Sequence, residues 1–213
     1  MHRRSQTAAF TLPELIALLA VIVLVAVLFL PALSHRHPKP LRIMCVSNLK
    51  NVGLAFRIFA TDHNDKFPGA ILSSNVTDLA SIRIESILTM LSNELSTPKL
   101  LHCPADKKRK EAPSFQNLIA QNISYFVSLS SDETRPQSLL AGDRNMLADG
   151  KPASKLLPLT TNTALSWSKE MHVEQGNIAM GDGSVQQMSN SRLQQSLRDA
   201  LEGVSTDHLL FPP

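Results

Sequence analysis

The stretch Ala9-Phe10-Thr11-Leu12-Pro13-Glu14-Leu15-Ile16 opens an apolar run that continues to Leu33, and its reading decides what kind of protein the rest of the chain builds. From Leu15 to Leu30 no side chain is charged or strongly polar, and Ala, Leu, Ile and Val dominate. Crossing about 30 Å of hydrocarbon takes about 20 helical residues, so Phe10 to Leu33 is long enough to span a bilayer. Arg3 and Arg4 precede the run, which predicts a cytoplasmic N-terminus and places everything beyond the span on the other side of the membrane. A secretory signal peptide shares the basic start, but its apolar region runs about 7–15 residues and has no place for a carboxylate such as Glu14. An acidic side chain at that depth is costly unless it meets a positive charge, so Glu14 asks for a partner.

Composition sets the frame around this segment. Of 213 residues, 43% are apolar, enough for one domain with a core of its own, and with 5% aromatic that core is mostly aliphatic. The formal charge of +3 includes Arg3 and Arg4, and without them the chain is nearly balanced. So small a surplus is no nucleic-acid footprint, and no nucleic-acid partner is expected.

A basic leader, a small residue, an aromatic residue and a carboxylate at the mouth of an apolar helix together resemble the class III signal of type IV pilin-like proteins, the prepilins and type II secretion pseudopilins. The matching positions are Ala9 before the scissile bond, Phe10 as the new N-terminus and Glu14 as the fifth mature residue. The family usually has Gly where this chain has Ala9, and an aliphatic residue where it has Pro13. Ala9 is still small, and proline is tolerated in the first turn of a helix because its missing N–H has no intrahelical partner there. The resemblance implies cleavage by a prepilin peptidase, N-methylation of Phe10, and pairing of Glu14 with the N-terminal amine of a neighbouring subunit. It also implies the partners of such a subunit: other pilin-like chains in a homo- or hetero-filament, an inner-membrane secretion platform and the membrane lipid. The expected fold is α+β and pilin-like, a transmembrane helix followed by an amphipathic helix on a small antiparallel sheet, with a C-terminal helix. The divisions are a leader over 1–9, an assembly helix over 10–33, a linker over 34–40 and an extracytoplasmic, periplasmic domain over 41–213. The competing class is a single-pass anchored binding domain that does not polymerise.

Beyond the span, Ser34-His-Arg-His-Pro-Lys-Pro40 breaks the apolar pattern. The prolines predict a kink or linker, and His35 and His37 read as membrane-flanking groups in preference to a metal pair. Cys45, Leu49, Val52, Phe56 and Phe59 then recur at steps of four and three, which predicts a helix over 41–61 with a core stripe. Asp62 to Asp65 end it in a polar turn. The run Cys45 to Gly53, followed by Phe59 to Pro68, resembles a block of the His-x9-Asp-Gly group of pseudopilin-like proteins. Thr77 or Asp78 predicts the cap of a second helix carrying Leu79, Ile82, Ile87, Met90, Leu91 and Leu95 and ending by Thr97-Pro98. Leu100 to Asp106 again resembles that group, and the basic run Lys107 to Lys110 reads as a solvated loop.

Two cysteines in an extracytoplasmic domain are more readily a disulfide than two thiols. Bridging Cys45 to Cys103 would add about 4 kcal/mol in the chain-entropy view. A zinc site from Cys45, His102 and Cys103 is disfavoured, since two ligands are adjacent and no fourth is evident. Strands are predicted over 123–129, 138–141 and 163–167, with a loop over 149–158 and Trp167 in the core. His172 is followed nine residues later by Asp182-Gly183, and the arms around that pair predict a hairpin with a type I′ turn. The spacing resembles the C-terminal mark of the same group, and a hydrogen bond from His172 across the hairpin is its simplest role. A helix capped by Ser191, carrying Leu193, Leu197 and Leu201 and stopping at Gly203, is expected to complete the fold.

For chemistry, the carboxylates Asp143, Asp149 and Asp182 are oxygen donors of the kind calcium takes, and secretion pseudopilins bind calcium in a C-terminal loop, though the spacing reproduces no defined calcium loop. No other cofactor is expected. No nucleophile elbow, phosphate loop, paired-carboxylate motif or metalloprotease helix is found. The chain is therefore expected not to be an enzyme, with a hydrolase using His172 and Asp182 as the distant alternative.

Overall fold

The computed structural model describes residues 12–34 and 38–213. The leader with Ala9 and Phe10, and the histidines His35 and His37, lie outside the described residues. The chain divides into two units, the first ending at His37 and the second running from Pro38 to Pro213.

The first unit is helix α1, Leu12–Ser34, 23 residues with Glu14 in its first turn. At 1.5 Å per residue it is about 35 Å long, enough to cross a bilayer's hydrocarbon. From Leu12 to Val27 every side chain is exposed, including Leu12, Ile16, Val23 and Leu24. Leu41–Asp62 in the second unit is also long and apolar enough for a span, yet 44% of an 18-residue apolar window of it is buried inside the domain. It carries Lys50 and Arg57 and forms the domain's core helix, so length and composition alone are misleading there.

That core helix is α2, Pro38–Asp62. It starts three residues before the expected boundary, because Pro38 and Pro40 sit in its first turn, where a missing N–H costs nothing. Cys45, Leu49, Val52, Phe56 and Phe59 are all buried, as their spacing requires. Short helices follow: α3 (Pro68–Ser74), α4 (Ile84–Met90) and α5 (Ser92–Leu95). The single helix expected from Thr77 or Asp78 is therefore broken. Asp78 caps only one 3-10 turn, Leu79–Ser81, and the chain is extended at Ile82 and Arg83 before α4 begins. Alternation through this extended pair buries both Ile82 and Ile84, so tertiary packing overrides the helical periodicity.

The strands are β1 (Tyr125–Ser128), β2 (Leu139–Asp143), β3 (Met146–Ala148), β4 (Lys151–Pro152), β5 (Leu156–Leu159), β6 (Leu165–Trp167), β7 (Gly176–Met180), β8 (Val185–Met188) and β9 (Asp207–Leu210), with α6 (Asn190–Ala200) between β8 and β9. A six-stranded sheet has the order β5-β9-β1-β2-β7-β8 and a three-stranded one the order β4-β3-β6. All pairings are antiparallel. The fold is thus α+β with an apolar N-terminal helix and an antiparallel sheet. Strand alternation splits the core. Tyr125, Val127, Ala179 and Leu210 join the cluster of α2 and α4. Phe126, Ile178, Met180 and Leu209 face the other way, with Trp167 and with Leu193 and Leu197 of α6. Strands β1, β2 and β7 are buried on both faces and so are apolar almost throughout.

The 149–158 segment is not a loop. Asp149 (φ 51°) and Gly150 (φ 76°) are both left-handed and join β3 to β4, with Ala148 opposite Lys151. This two-residue connection, not Asp182-Gly183, is the type I′ hairpin. At the β7–β8 turn only Gly183 has positive φ, 81°, and its N–H donates to the Met180 carbonyl while Met180 N–H donates to that of Ser184. That is a three-residue loop whose last residue supplies the left-handed step. Ser189, two residues earlier than expected, caps α6. Beyond Gly203 the chain does not end in a helix. It returns as β9 into the middle of the large sheet, between β5 and β1.

Candidate functional site

Cys45, in the second turn of α2, and Cys103, in the loop after a 3-10 turn over Pro98–Leu101, are joined by a disulfide with Cα atoms 4.9 Å apart. This is the bridge expected between the first soluble helix and the following layer. Against it lies His172, whose Nε2 is 3.5 Å from Cys103 Sγ and 3.4 Å from Asp143 Oδ2. The imidazole is 2% exposed and the Asp143 carboxylate fully buried. His172 therefore faces the disulfide and Asp143 and does not bond across the hairpin. The hydrolase pairing with Asp182 is not formed: Asp182 lies in the β7–β8 turn, where Oδ1 accepts from Ser184 N–H and the carbonyl accepts from Arg57 Nη1.

The imidazole is carried on a strained stretch of backbone. His172, Val173 and Glu174 have φ of 44°, 51° and 56°, three successive left-handed residues of which one is β-branched. Each costs of order 1–3 kcal/mol and persists only where surrounding contacts dictate it. Asn145, just after β2, provides them. Its Nδ2 donates to the carbonyls of Ser168, Met171 and Gln175 at 3.2, 3.4 and 3.2 Å, and its own carbonyl accepts from Ser168 N–H. One buried amide thus closes the 168–175 arch from inside. The sequence marks Asn145 only as a polar residue near Asp143, with no sign of this role.

Asp143, the last residue of β2, accepts through Oδ2 from Asn177 N–H (2.7 Å) and Asn177 Nδ2 (2.8 Å), while Oδ1 is buried with no hydrogen-bond partner among the described residues. Burial pushes its carboxyl up to about 7, against the opposing pull of the two Asn177 donors and of Arg42. Burial pushes His172 down to about 4, with the positive charge of Arg42 acting in the same direction. Arg42 itself is fixed by a hydrogen bond from Nη1 to Gln175 Oε1.

A second polar cluster adjoins the first. Arg144 makes a two-pronged pair with Asp106, through Nε to Oδ2 (2.6 Å) and Nη2 to Oδ1 (2.8 Å), and reaches Glu170 Oε2 at 3.3 Å. Lys108 also bonds Glu170. The basic run is therefore only partly a solvated loop, since Arg109 donates to the carbonyls of Ala120 and Pro213.

The calcium set is not assembled. Asp143 is buried beside His172, Asp149 accepts from Ala164 N–H in the β3–β4 turn, and Asp182 is in the β7–β8 turn. Among the described residues, the group whose potential ligand atoms converge is Cys45, Cys103 and His172. Glu14 lies in the first turn of α1, outside this domain. Compared with known proteins, the chain matches no family model, no curated protein and no solved structure.

Proposed function

We propose that this chain works by assembly: a membrane-anchored α+β subunit and, more narrowly, a pilin-like pseudopilin cut after Ala9 and packed into a type II secretion-type or type IV pilus-like fibre. The observation that carries this reading is the outer side of α2. Its buried residues Cys45, Leu49, Val52 and Phe56 define one side, and Ile43, Leu54 and Ile58, exposed at 66%, 53% and 45%, fall on the opposite side at spacings of eleven and four. An apolar stripe on both sides of one helix suits a subunit whose helix meets its own sheet on one side and a neighbouring helix on the other. The exposed apolar surface of α1 supports the same role within the membrane. In this mechanism the hydrophobic N-terminal helices bundle, and Glu14 sets subunit register by meeting a neighbour's Phe10 amine. The globular domain stands outside the cytoplasmic membrane.

Mass spectrometry of the protein isolated from membranes tests this. A mature chain beginning at Phe10, with or without one added methyl, is the expected result. A chain beginning at Met1, or cut near Leu33, overturns the prepilin reading and leaves an anchored or secreted binding domain.

A further inference from the structure

The assembly reading makes no use of a cleft beside β5. Its volume is about 550 Å³, within the roughly 300–1,000 Å³ common for ligand sites. One wall is the outer edge of β5, the end strand of the six-stranded sheet, and the other is the extended pair Ile82 and Arg83. Ile82, Ile84 and Leu210 form an apolar floor. The strand edge is open to pairing at one residue. Phe211 N–H donates to the Lys155 carbonyl, so Lys155 faces β9 and the next residue, Leu156, turns its N–H and C=O outward. Two residues on, Pro158 faces outward in the same way and has no N–H to give. We infer that this cleft binds an extended peptide of a partner protein, which adds to β5 at Leu156, sets an apolar side chain on Ile82 and Ile84, and carries an acidic residue for Lys155.

Alternation fixes what enters the cleft. Leu156 lies opposite Leu210 and packs with Ile82 and Ile84 on the α2 side of the sheet. In an antiparallel partner, the residue facing Leu156 exchanges both backbone hydrogen bonds with it, and its side chain emerges on the same face. That residue therefore covers the apolar floor. Charge selects its neighbour. Arg83 Nη2 is 3.0 Å from Glu85 Oε1, which also accepts from Ala120 N–H at 3.0 Å, so the Glu85 carboxylate at the cleft is already matched. Lys155, exposed at the rim, has no ion-pair partner among the described residues. In antiparallel register, the peptide residue that follows the apolar one lies opposite Lys155. Strand addition with a pocket for one side chain is a general mode of peptide recognition. Pro158 keeps the pairing short, so the edge does not template longer sheets.

The test uses the full-length protein in nanodiscs and the fluorescein-labelled peptide Ser-Thr-Phe-Glu-Thr-Ser, followed by fluorescence anisotropy against empty nanodiscs. Saturable binding to the parent protein is expected. N-methylation of the peptide's phenylalanine removes the N–H that meets the Leu156 carbonyl and should weaken binding about tenfold or more. Replacing its glutamate by lysine should weaken binding severalfold, and Lys155→Glu should reverse that preference, so that the variant binds the lysine peptide better than the glutamate peptide. Absence of saturable binding at millimolar peptide, or an unchanged preference in Lys155→Glu, overturns the proposal. Equal binding of the N-methylated peptide also overturns it, since the cleft would then take an apolar acid without strand pairing. The two phenylalanine peptides on the unsubstituted protein decide the matter even where the variant does not fold. None of these readouts depends on cleavage after Ala9, so failure here leaves the assembly reading standing.

Discussion

Arg144 grips Asp106 with two parallel hydrogen bonds, 2.6 and 2.8 Å long, and the carboxylate is 1% exposed. The pair joins the residue that follows β2 to the loop that follows Cys103, beside the disulfide. Its position makes it a clamp on the pocket that houses His172.

Removing one partner of such a pair strands a buried charge. Arg144→Met should therefore destabilise the domain by about 3–5 kcal/mol, measured as a lower urea midpoint with an unchanged slope. Arg144→Lys should recover only part of the loss, since an ammonium cannot reproduce the two-pronged geometry. Equal stability of Arg144→Met and the parent would remove the clamp from the account.

The same pair sets a pH dependence. Burial alone would raise the Asp106 carboxyl, but the hydrogen bonds and charge of Arg144, helped by Lys108 N–H, outweigh it and hold the group below the ordinary aspartate range. A depressed folded value means that the contribution is fully present above the unfolded value of about 3.9 and is lost as pH falls through the folded one. The stability gap between the parent and Asp106→Asn should hold steady from pH 7 to 5 and close as the pH is lowered below about 4. A gap that stays constant down to pH 2 contradicts this.

The Asp182-Gly183 turn gives a local test. Gly183 is left-handed, and a Cβ there would also come within 2.7 Å of Arg57 Cδ. Gly183→Ala should cost about 1–2 kcal/mol from the backbone alone. Asp182→Ala loses only its bond to Ser184 N–H and should cost about 0.5–1.5 kcal/mol. Thermal unfolding of both variants decides, and a Gly183→Ala variant as stable as the parent would contradict the left-handed step at that residue.

The proposed assembly and the folding of the domain use different sides of α2. Leu54 is 53% exposed, so Leu54→Glu should change domain stability by no more than about 0.5 kcal/mol yet block incorporation into fibres. Fibres recovered from cells with normal amounts of the variant would show that the outer stripe meets no neighbour.

At the membrane end, Glu14→Ala should leave cleavage after Ala9 largely intact while abolishing incorporation. Both are read from one preparation, by mass of the mature chain and by its presence in sheared fibres. Normal incorporation would refute the pairing with a neighbouring N-terminus.

Much of this architecture is local, and local pattern is what a sequence carries. The apolar run to Leu33 is a matter of composition over consecutive residues. The stripe from Cys45 to Phe59 follows from helical period and is buried as expected. Pairing Cys45 with Cys103 follows from the count, since the chain has two cysteines. Boundaries failed where burial competes with local preference, as at Ile82 and Arg83, where extension buries apolar side chains that a continuing helix would have placed elsewhere.

The amino-acid sequence by itself determined that this chain carries a membrane-length apolar helix, a core helix behind it and strands to pack against that helix, because periodicity and hydropathy act between neighbours in the chain. Only the tertiary structure decided which residues meet. Arg144 finds Asp106 across 38 residues and His172 reaches Cys103 across 69, and β9 enters the sheet between β5 and β1 from the far end of the chain. Such contacts depend on how strands order themselves in a sheet, and strand order is a property of the whole core. A period of two or of 3.6 tells a residue which way to face, and leaves open what it will face.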